Sequence, residues 1–494
     1  MTRQRQRWCR RLRLAPLLLA AAVLAAQAMP AFADRWWDTQ AIIGVVDAGR
    51  QPDAARRAGV GWDRVQFLWQ EIQPSSSSDW TLDRYLDQTG QRKILASGRP
   101  IVAVVQGTPG WAAGNWHDGA SGVPTGLDYP PDDPKNNFGR FMLRLASSYK
   151  GRIDAWIIWN EPDFHPGESG TWWTWSGNTA DFFSLLRTGY RAVKQADPRA
   201  AVVFPATTYF ADAVNGRELF LGRVLSDGAK DREAAAHGYY FDAVAVNIYC
   251  SLDVVYRVRG IYADILARYK LDKPIWLTET NCPVYNDATA PVTPSHHIST
   301  SEQAAYLLEV VAVARAAGYQ RIAWYSMIDH DPNTGIADRW GLLRLDASPR
   351  PALTALAVAT KYLSSSAQTA RLAPIGDAGA DGWPVWRVVL NDPTRQSRIH
   401  VLWRSARGPT SLRVEALGTV AELVDVQGRV TPLTRDAGGW WTVPLPPPRV
   451  SQPFDPPGFQ LVGDPVLLVE TGLPIAASPE APRTAAVMSG VPGS

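Results

Sequence analysis

From residue 40 to about residue 363, short apolar runs alternate with longer stretches of helical periodicity. The apolar runs are residues 41–46, 63–69, 100–107, 153–160, 200–206, 241–249, 274–280 and 321–328, each rich in Val, Ile, Leu or aromatic residues. Between them lie stretches such as 138–151, 181–196 and 301–318, in which apolar residues recur every three to four positions. The runs are nearly continuous in apolar character rather than alternating, as expected when a parallel sheet is covered on both faces. Eight strand–helix units in series predict an α/β fold, a (β/α)8 TIM barrel over residues 34–364. A doubly wound open sheet is the alternative, but no Gly-rich phosphate loop follows the first run.

After residue 365 the helical period disappears. Five short runs, 383–390, 398–404, 420–426, 440–445 and 465–470, are separated by turn signals such as Asp436-Ala437-Gly438-Gly439. They predict a smaller all-β sandwich over 365–472. The last stretch, 473–494, is rich in Ala, Pro, Ser and Gly and reads as a disordered tail.

The first 33 residues carry a different pattern. Six arginines and no acid occupy residues 1–13, an apolar run follows from Leu14 to Ala26, and Ala31-Phe32-Ala33 is a small-x-small cleavage sequence. This predicts a secretory signal peptide cleaved after Ala33. The run is short for an uncleaved membrane anchor; Arg10-Arg11 hints at twin-arginine export. The mature chain is therefore expected to be secreted or extracytoplasmic, without a membrane span. Loss of six arginines takes the formal net charge from +3 to −3, and no basic stripe remains to suggest a nucleic-acid partner.

Of three cysteines, Cys9 leaves with the signal. Cys250 and Cys282 follow the sixth and seventh runs, where neighbouring strand ends allow a disulfide in an oxidising compartment; two buried free thiols are the alternative. No Cys/His cluster has zinc-site spacing, and the pair His296-His297 reads as a solvated loop, so neither metal nor organic cofactor is expected. The chain has 21 tryptophans. Many belong in cores, but an indole face also stacks on a pyranose.

In a barrel, catalytic groups belong at the C-terminal ends of strands. Two glutamates stand there. Glu161, in Trp159-Asn160-Glu161-Pro162, follows the fourth run, and Glu279, in Trp276-Leu277-Thr278-Glu279-Thr280, ends the seventh. Singly, each has a plain alternative: a helix-start turn for Glu161 and a strand-end salt bridge for Glu279. Together on one rim they form the carboxyl pair that glycosidic hydrolysis requires.

The runs 149–163, 273–281 and 341–353 resemble glycoside hydrolase clan A, family 39 and near relatives in particular. The resemblance implies a retaining mechanism, with Glu161 as acid/base and Glu279 as nucleophile. It further implies that Asn160 binds the sugar 2-hydroxyl, that Tyr249 contacts the nucleophile, that Arg64 keeps it ionised, and that Trp324 forms a platform under the sugar. Asn247 stands where relatives often have His. Trp111 falls in a region that lines the mouth in relatives. Each of the lesser residues also has a packing or surface-pairing reading. Trp172, Trp173 and Trp175 read equally as a subsite wall or a packed loop, while Glu71, Asp329 and Asp331 fall near the mouth without being assigned to the site. The expected function is hydrolysis of O-glycosidic bonds in a plant- or microbe-derived oligo- or polysaccharide by double displacement, with an exo-β-glycosidase such as a β-xylosidase favoured. The alternatives are an endo-acting cellulase, xylanase or mannanase, an arabinofuranosidase, or a non-catalytic polysaccharide-binding protein. The expected partner is a carbohydrate; oligomeric state is not fixed by the sequence.

Overall fold

The computed structural model describes residues 42–164, 174–284, 287, 298–330, 339–373, 385–404, 410–447 and 463–473. The signal segment, the tail from residue 474, Trp172, Trp173, Asp331 and the pair His296-His297 lie outside the described residues.

Eight parallel strands close into a barrel in sequence order. They are β1 (Ile43–Val46), β2 (Trp62–Leu68), β3 (Ile101–Gln106), β4 (Ala155–Ile158), β5 (Ala201–Thr207), β6 (Ala243–Asn247), β7 (Ile275–Thr280) and β8 (Arg321–Trp324). β8 pairs back to β1, with Val45 opposite Trp324. The sixth and eighth runs extend past their strands, because the chain leaves the ladder after Asn247 and after Trp324.

The continuous apolar texture is explained by two-sided burial. Along β3, Ala103 and Val105 join the core beneath the helices. The intervening Val102 and Val104, also 0% exposed, take the opposite side, toward the barrel axis. The axis is filled by side chains. A Cβ at Gly44 would come within 2.3 Å of the Trp62 ring, so a side chain at residue 44 has no room beside the indole. Trp62 Nε1 donates to the Ile42 carbonyl at 3.1 Å, which satisfies its polar atom in the dry interior.

The longer helices around the barrel are α1 (Asn137–Ser148), α2 (Thr179–Ala196), α3 (Leu252–Arg268), α4 (Thr300–Ala317) and α5 (Pro351–Leu363). Two begin with capping boxes, Asn178 with Asp181 on α2 and Ser299 with Glu302 on α4, which satisfy otherwise orphaned N–H groups. Gly318, at φ 90°, ends α4. Every residue of α4 from Glu302 to Ala314 is buried, because α4 packs against α3 and α5 and also against two strands of the C-terminal region, β9 (Thr369–Leu372) and β10 (Val385–Asp392).

That C-terminal region is antiparallel. β9 and β10 are followed by β11 (Ser397–Arg404), β12 (Thr410–Glu415), β13 (Val420–Val424), β14 (Val430–Leu433), β15 (Trp440–Leu445) and β16 (Val466–Thr471). One sheet has the order β14-β13-β16-β11-β10-β9, and β12 pairs with β15 in a second. Leu402 and Leu468 of the larger sheet pack with Trp441 and Val443 of the smaller one. On the opposite face, Ile399, Val401, Trp403 and Leu467 belong to the same apolar core as the barrel. The larger sheet is thus buried on both faces, and the sandwich shares its core with the barrel.

Candidate active site

Polar side chains from β2, β6 and β7, and from the chain just after β4 and β6, converge in one cluster. Glu279, the penultimate residue of β7, is 6% exposed. The Arg64 guanidinium, from β2, donates to its Oε1, and the Tyr249 hydroxyl donates to its Oε2. Both donors complement an ionised carboxylate. Burial, reinforced by the Glu279 charge, holds the Tyr249 hydroxyl well above its ordinary pKa, so it stays a donor. Arg64 also donates from its second terminal nitrogen to Asn160 Oδ1 at 3.1 Å. One guanidinium therefore ties the end of β4 to the end of β7.

Glu161 arrives at the mouth through an unusual backbone path. Trp159 and Glu161 have φ of 78° and 50°, in the left-handed region that non-glycine residues rarely adopt. Surrounding bonds hold this path. Glu161 N–H donates to the Ala206 carbonyl at 2.7 Å. Trp159 Nε1 donates to the Thr174 carbonyl at 2.9 Å, and the Thr174 hydroxyl reaches the Asn160 and Glu161 carbonyls, each at 2.7 Å. The Glu161 carboxyl accepts a hydrogen bond from Asn247 Nδ2 at 2.8 Å. Burial pushes its pKa up to about 8; the Glu279 charge adds to the rise, and the Asn247 bond and Arg64 oppose it. Asp163, fully buried and accepting from the Thr208 N–H and hydroxyl at 2.8 Å each, contributes a further upward push.

Glu161, Glu279, Asn160, Arg64, Tyr249 and Asn247 thus form one connected cluster. Trp324 is not part of it. Ile322 and Trp324 face outward from β8 into the helix-side core, and the Trp324 ring lies 6.3 Å from Tyr306 of α4. The expectation of a sugar platform fails on strand parity, because in a β-strand neighbouring side chains take opposite faces. The aromatic wall beside Glu279 comes instead from Tyr325, the next residue, and from Trp340. Tyr249 lies 5.0 Å from Trp340 and 6.3 Å from Tyr325, with the rings near edge-on. The Tyr325 hydroxyl pairs with His330 Nε2 at 3.0 Å. Sequence reasoning missed both; the one signal was that Trp340 immediately precedes the 341–353 run.

The other candidates are engaged elsewhere. Trp111 Nε1 donates to the Gln73 carbonyl at 2.8 Å, and its ring packs edge-on against buried Trp69. Trp175 is 0% exposed between Trp159 and Phe182, which makes it loop packing. Asp329 is paired with Arg350 at 2.7 Å. Glu71 is exposed on a short helix, Trp69–Ile72. Among the described residues, no group of three or more His, Cys, Asp or Glu is placed to hold a metal ion, and no helix is long and apolar enough to cross a membrane.

Cys250 and Cys282 form a disulfide with Cα atoms 4.8 Å apart. It joins the chain just beyond Tyr249 to the chain just beyond Glu279, beside the hydrogen bond from Cys250 N–H to the Asn281 carbonyl at 3.0 Å. By the chain-entropy argument, closing a loop of 32 residues stabilises the fold by roughly 3–4 kcal/mol. Cys250→Ser with Cys282→Ser is expected to lower the unfolding free energy by about that amount in denaturant titration. An unchanged midpoint would show that the bridge contributes no net stability.

No family model and no curated protein sequence matches the chain. Solved structures do. A family 39 glycoside hydrolase from the gut symbiont Bacteroides cellulosilyticus WH2 superposes with a TM-score of 0.61 at 18% identity, over 88% of this chain and 82% of that one. The catalytic domain of GH30 xylanase C from Talaromyces cellulolyticus gives 0.57 at 13% identity, over 88% and 98%. A glucosidase from Croceicoccus marinus gives 0.56 at 12% identity, over 88% and 96%. At such identities the likeness is one of fold alone.

Proposed function

We propose that this chain is a retaining glycoside hydrolase in which Glu279 is the nucleophile and Glu161 the acid/base. The observation that carries the reading is the unlike treatment of two carboxyl groups in one mouth. Glu279 lies between a guanidinium and a phenol; Glu161 is buried against an amide and pushed up to about 8. Environments that separate two carboxyl groups in this way assign one to attack and the other to proton donation. Glu279 attacks the anomeric carbon as the bond to the leaving oxygen breaks, and the Glu161 proton passes to that oxygen. The resulting ester removes the Glu279 charge, which relieves one cause of the Glu161 rise. Glu161 then accepts a proton from water as the water displaces Glu279 and restores the free enzyme. Asn160 is held through its carbonyl oxygen by Arg64, so its NH2 is the end offered to a sugar hydroxyl. The aromatic group of Tyr249, Tyr325 and Trp340 supplies apolar faces beside it. No step calls for a metal or organic cofactor.

The substrate is proposed to be a plant- or microbe-derived oligo- or polysaccharide, with exo-β-glycosidase action such as that of a β-xylosidase favoured over endo action. The solved xylanase and glucosidase folds above support this range. Export with cleavage after Ala33 is part of the proposal, supported by the N-terminal pattern and by a disulfide that suits an oxidising compartment. The test is a hydrolysis panel on protein lacking residues 1–33: aryl β-xyloside, β-glucoside, β-galactoside and α-arabinofuranoside, with xylan, mannan and β-glucan. Release from one aryl glycoside is expected. Rapid cleavage of a polymer with aryl glycosides inert would replace the exo reading by the endo one. A folded protein that binds glycans but turns over none would remove the enzymatic reading.

A further inference from the structure

The Asn247 amide that meets Glu161 has two ends of nearly the same shape and opposite chemistry: the NH2 donates and the carbonyl accepts. Which end faces the carboxyl decides which of its protonation states is favoured, and where its proton can sit. In this chain the carbonyl end is engaged by Thr278. Its hydroxyl donates to Asn247 Oδ1 at 2.9 Å, with the Val246 carbonyl farther away at 3.3 Å. Thr278 is 0% exposed and Asn247 1%, which leaves little access for water to compete for either group.

The strand register explains the reach. β6 and β7 pair Val246 with Leu277 and then Asn247 with Glu279, so Thr278 is the extra residue of an irregularity in β7. It stands out of step, with its hydroxyl against β6, directly before the nucleophile.

We propose that Thr278 is a positioning residue for the acid/base: by engaging the Asn247 carbonyl it presents the amide NH2 to Glu161 Oε1, and so places the transferable proton of Glu161 on Oε2. The proposal rests on the reading of Glu161 as acid/base. Oε1 accepts the N–H in both protonation states, so Oε2 gives the proton to the leaving oxygen and later takes one from water. Without the Thr278 hydroxyl, the Asn247 carbonyl loses its donor and the amide is free to turn over. Its carbonyl then accepts the Glu161 proton, which holds the carboxyl neutral and points the proton away from the glycosidic oxygen. The charged groups acting on Glu161 are Glu279 and Asp163, which raise it, and Arg64, which lowers it; all three remain in place when Thr278 is changed.

The test is an infrared pH titration of the carboxyl band, on the whole protein without substrate. Glu161→Gln identifies the band. Thr278→Val keeps the shape and removes the hydroxyl, Thr278→Ala does so with less bulk should valine not fold, and Thr278→Ser restores the hydroxyl. The Glu161 midpoint is expected to move upward by about half to one pH unit in Val or Ala and to return in Ser. Turnover of an activated aryl glycoside, in which the base step dominates, is expected to fall roughly tenfold or more in Val and to recover in Ser. An unmoved midpoint in Val and Ala, or a shift that Ser does not reverse, overturns the positioning role. A wild-type protein without hydrolase activity would instead remove the glycosidase reading, and the titration would still report whether Thr278 sets the carboxyl.

Discussion

Glu279→Gln is expected to lower kcat by at least about 10⁴-fold, the scale seen when a covalent nucleophile is removed from an otherwise intact site. Fold should survive the change. The glutamine carbonyl can still accept from Arg64, and its NH2 can donate to the Tyr249 oxygen, so the isosteric amide leaves no partner stranded. The buried guanidinium does lose its counter-charge, so some loss of stability is expected. Circular dichroism and a melting curve alongside the kinetics separate the two effects. A folded variant with near-wild-type hydrolysis would remove Glu279 from its role.

The second large effect belongs to Glu161. Its replacement by alanine is expected to slow substrates with poor leaving groups by about 10²–10⁴-fold, the usual worth of a positioned general acid. Activated aryl glycosides, which leave with little help, should lose far less in the first step. Equal losses in kcat/KM, which reports the first step alone, for both classes would argue against Glu161 as the acid. The pH profile is a second reading of the same group. Glu161 must be protonated to donate, so kcat/KM for the wild type is expected to fall as pH rises through about 8, and this limb should vanish in Glu161→Ala. Stability carries the matching sign. A carboxyl whose folded-state value lies above its ordinary 4.5 favours the fold most fully below 4.5, and the benefit is lost progressively as pH rises from there to about 8. Glu161→Gln, which keeps an acceptor for Asn247 and removes the ionisation, is therefore expected to be more stable than wild type at pH 7, by on the order of 1–3 kcal/mol.

Much of this was legible in the sequence, for physical reasons that also explain what was not. The eight strands showed themselves because parallel strands buried on both faces are apolar throughout. The two glutamates stood out because a carboxylate at the end of such a run has few structural uses. The same continuity hid strand parity. Nothing in Arg321-Ile322-Ala323-Trp324 tells which side chains meet the helices, and Trp324 was assigned to the mouth that Tyr325 and Trp340 occupy. The irregularity in β7 is likewise silent in Trp276-Leu277-Thr278-Glu279, since the residues on either side read as one strand. Asn247 was placed near the site, yet its contact with Glu161 joins residues 86 apart, which spacing does not encode. In the sandwich, β9, β12 and β14 went unread because each is short and largely unburied, with little apolar pattern.

The most direct test of the whole account is to trap the covalent intermediate. Glu161→Ala, mixed with an activated aryl glycoside, should form the glycosyl-enzyme readily and hydrolyse it slowly for want of the base. Intact mass followed by peptide mapping is predicted to show one added glycosyl residue, on the segment spanning Lys273 to Asn281 and attached at Glu279. Turnover with no adduct, or an adduct on any other residue, would contradict the assignment of Glu279 as nucleophile and with it the double-displacement mechanism proposed for this barrel.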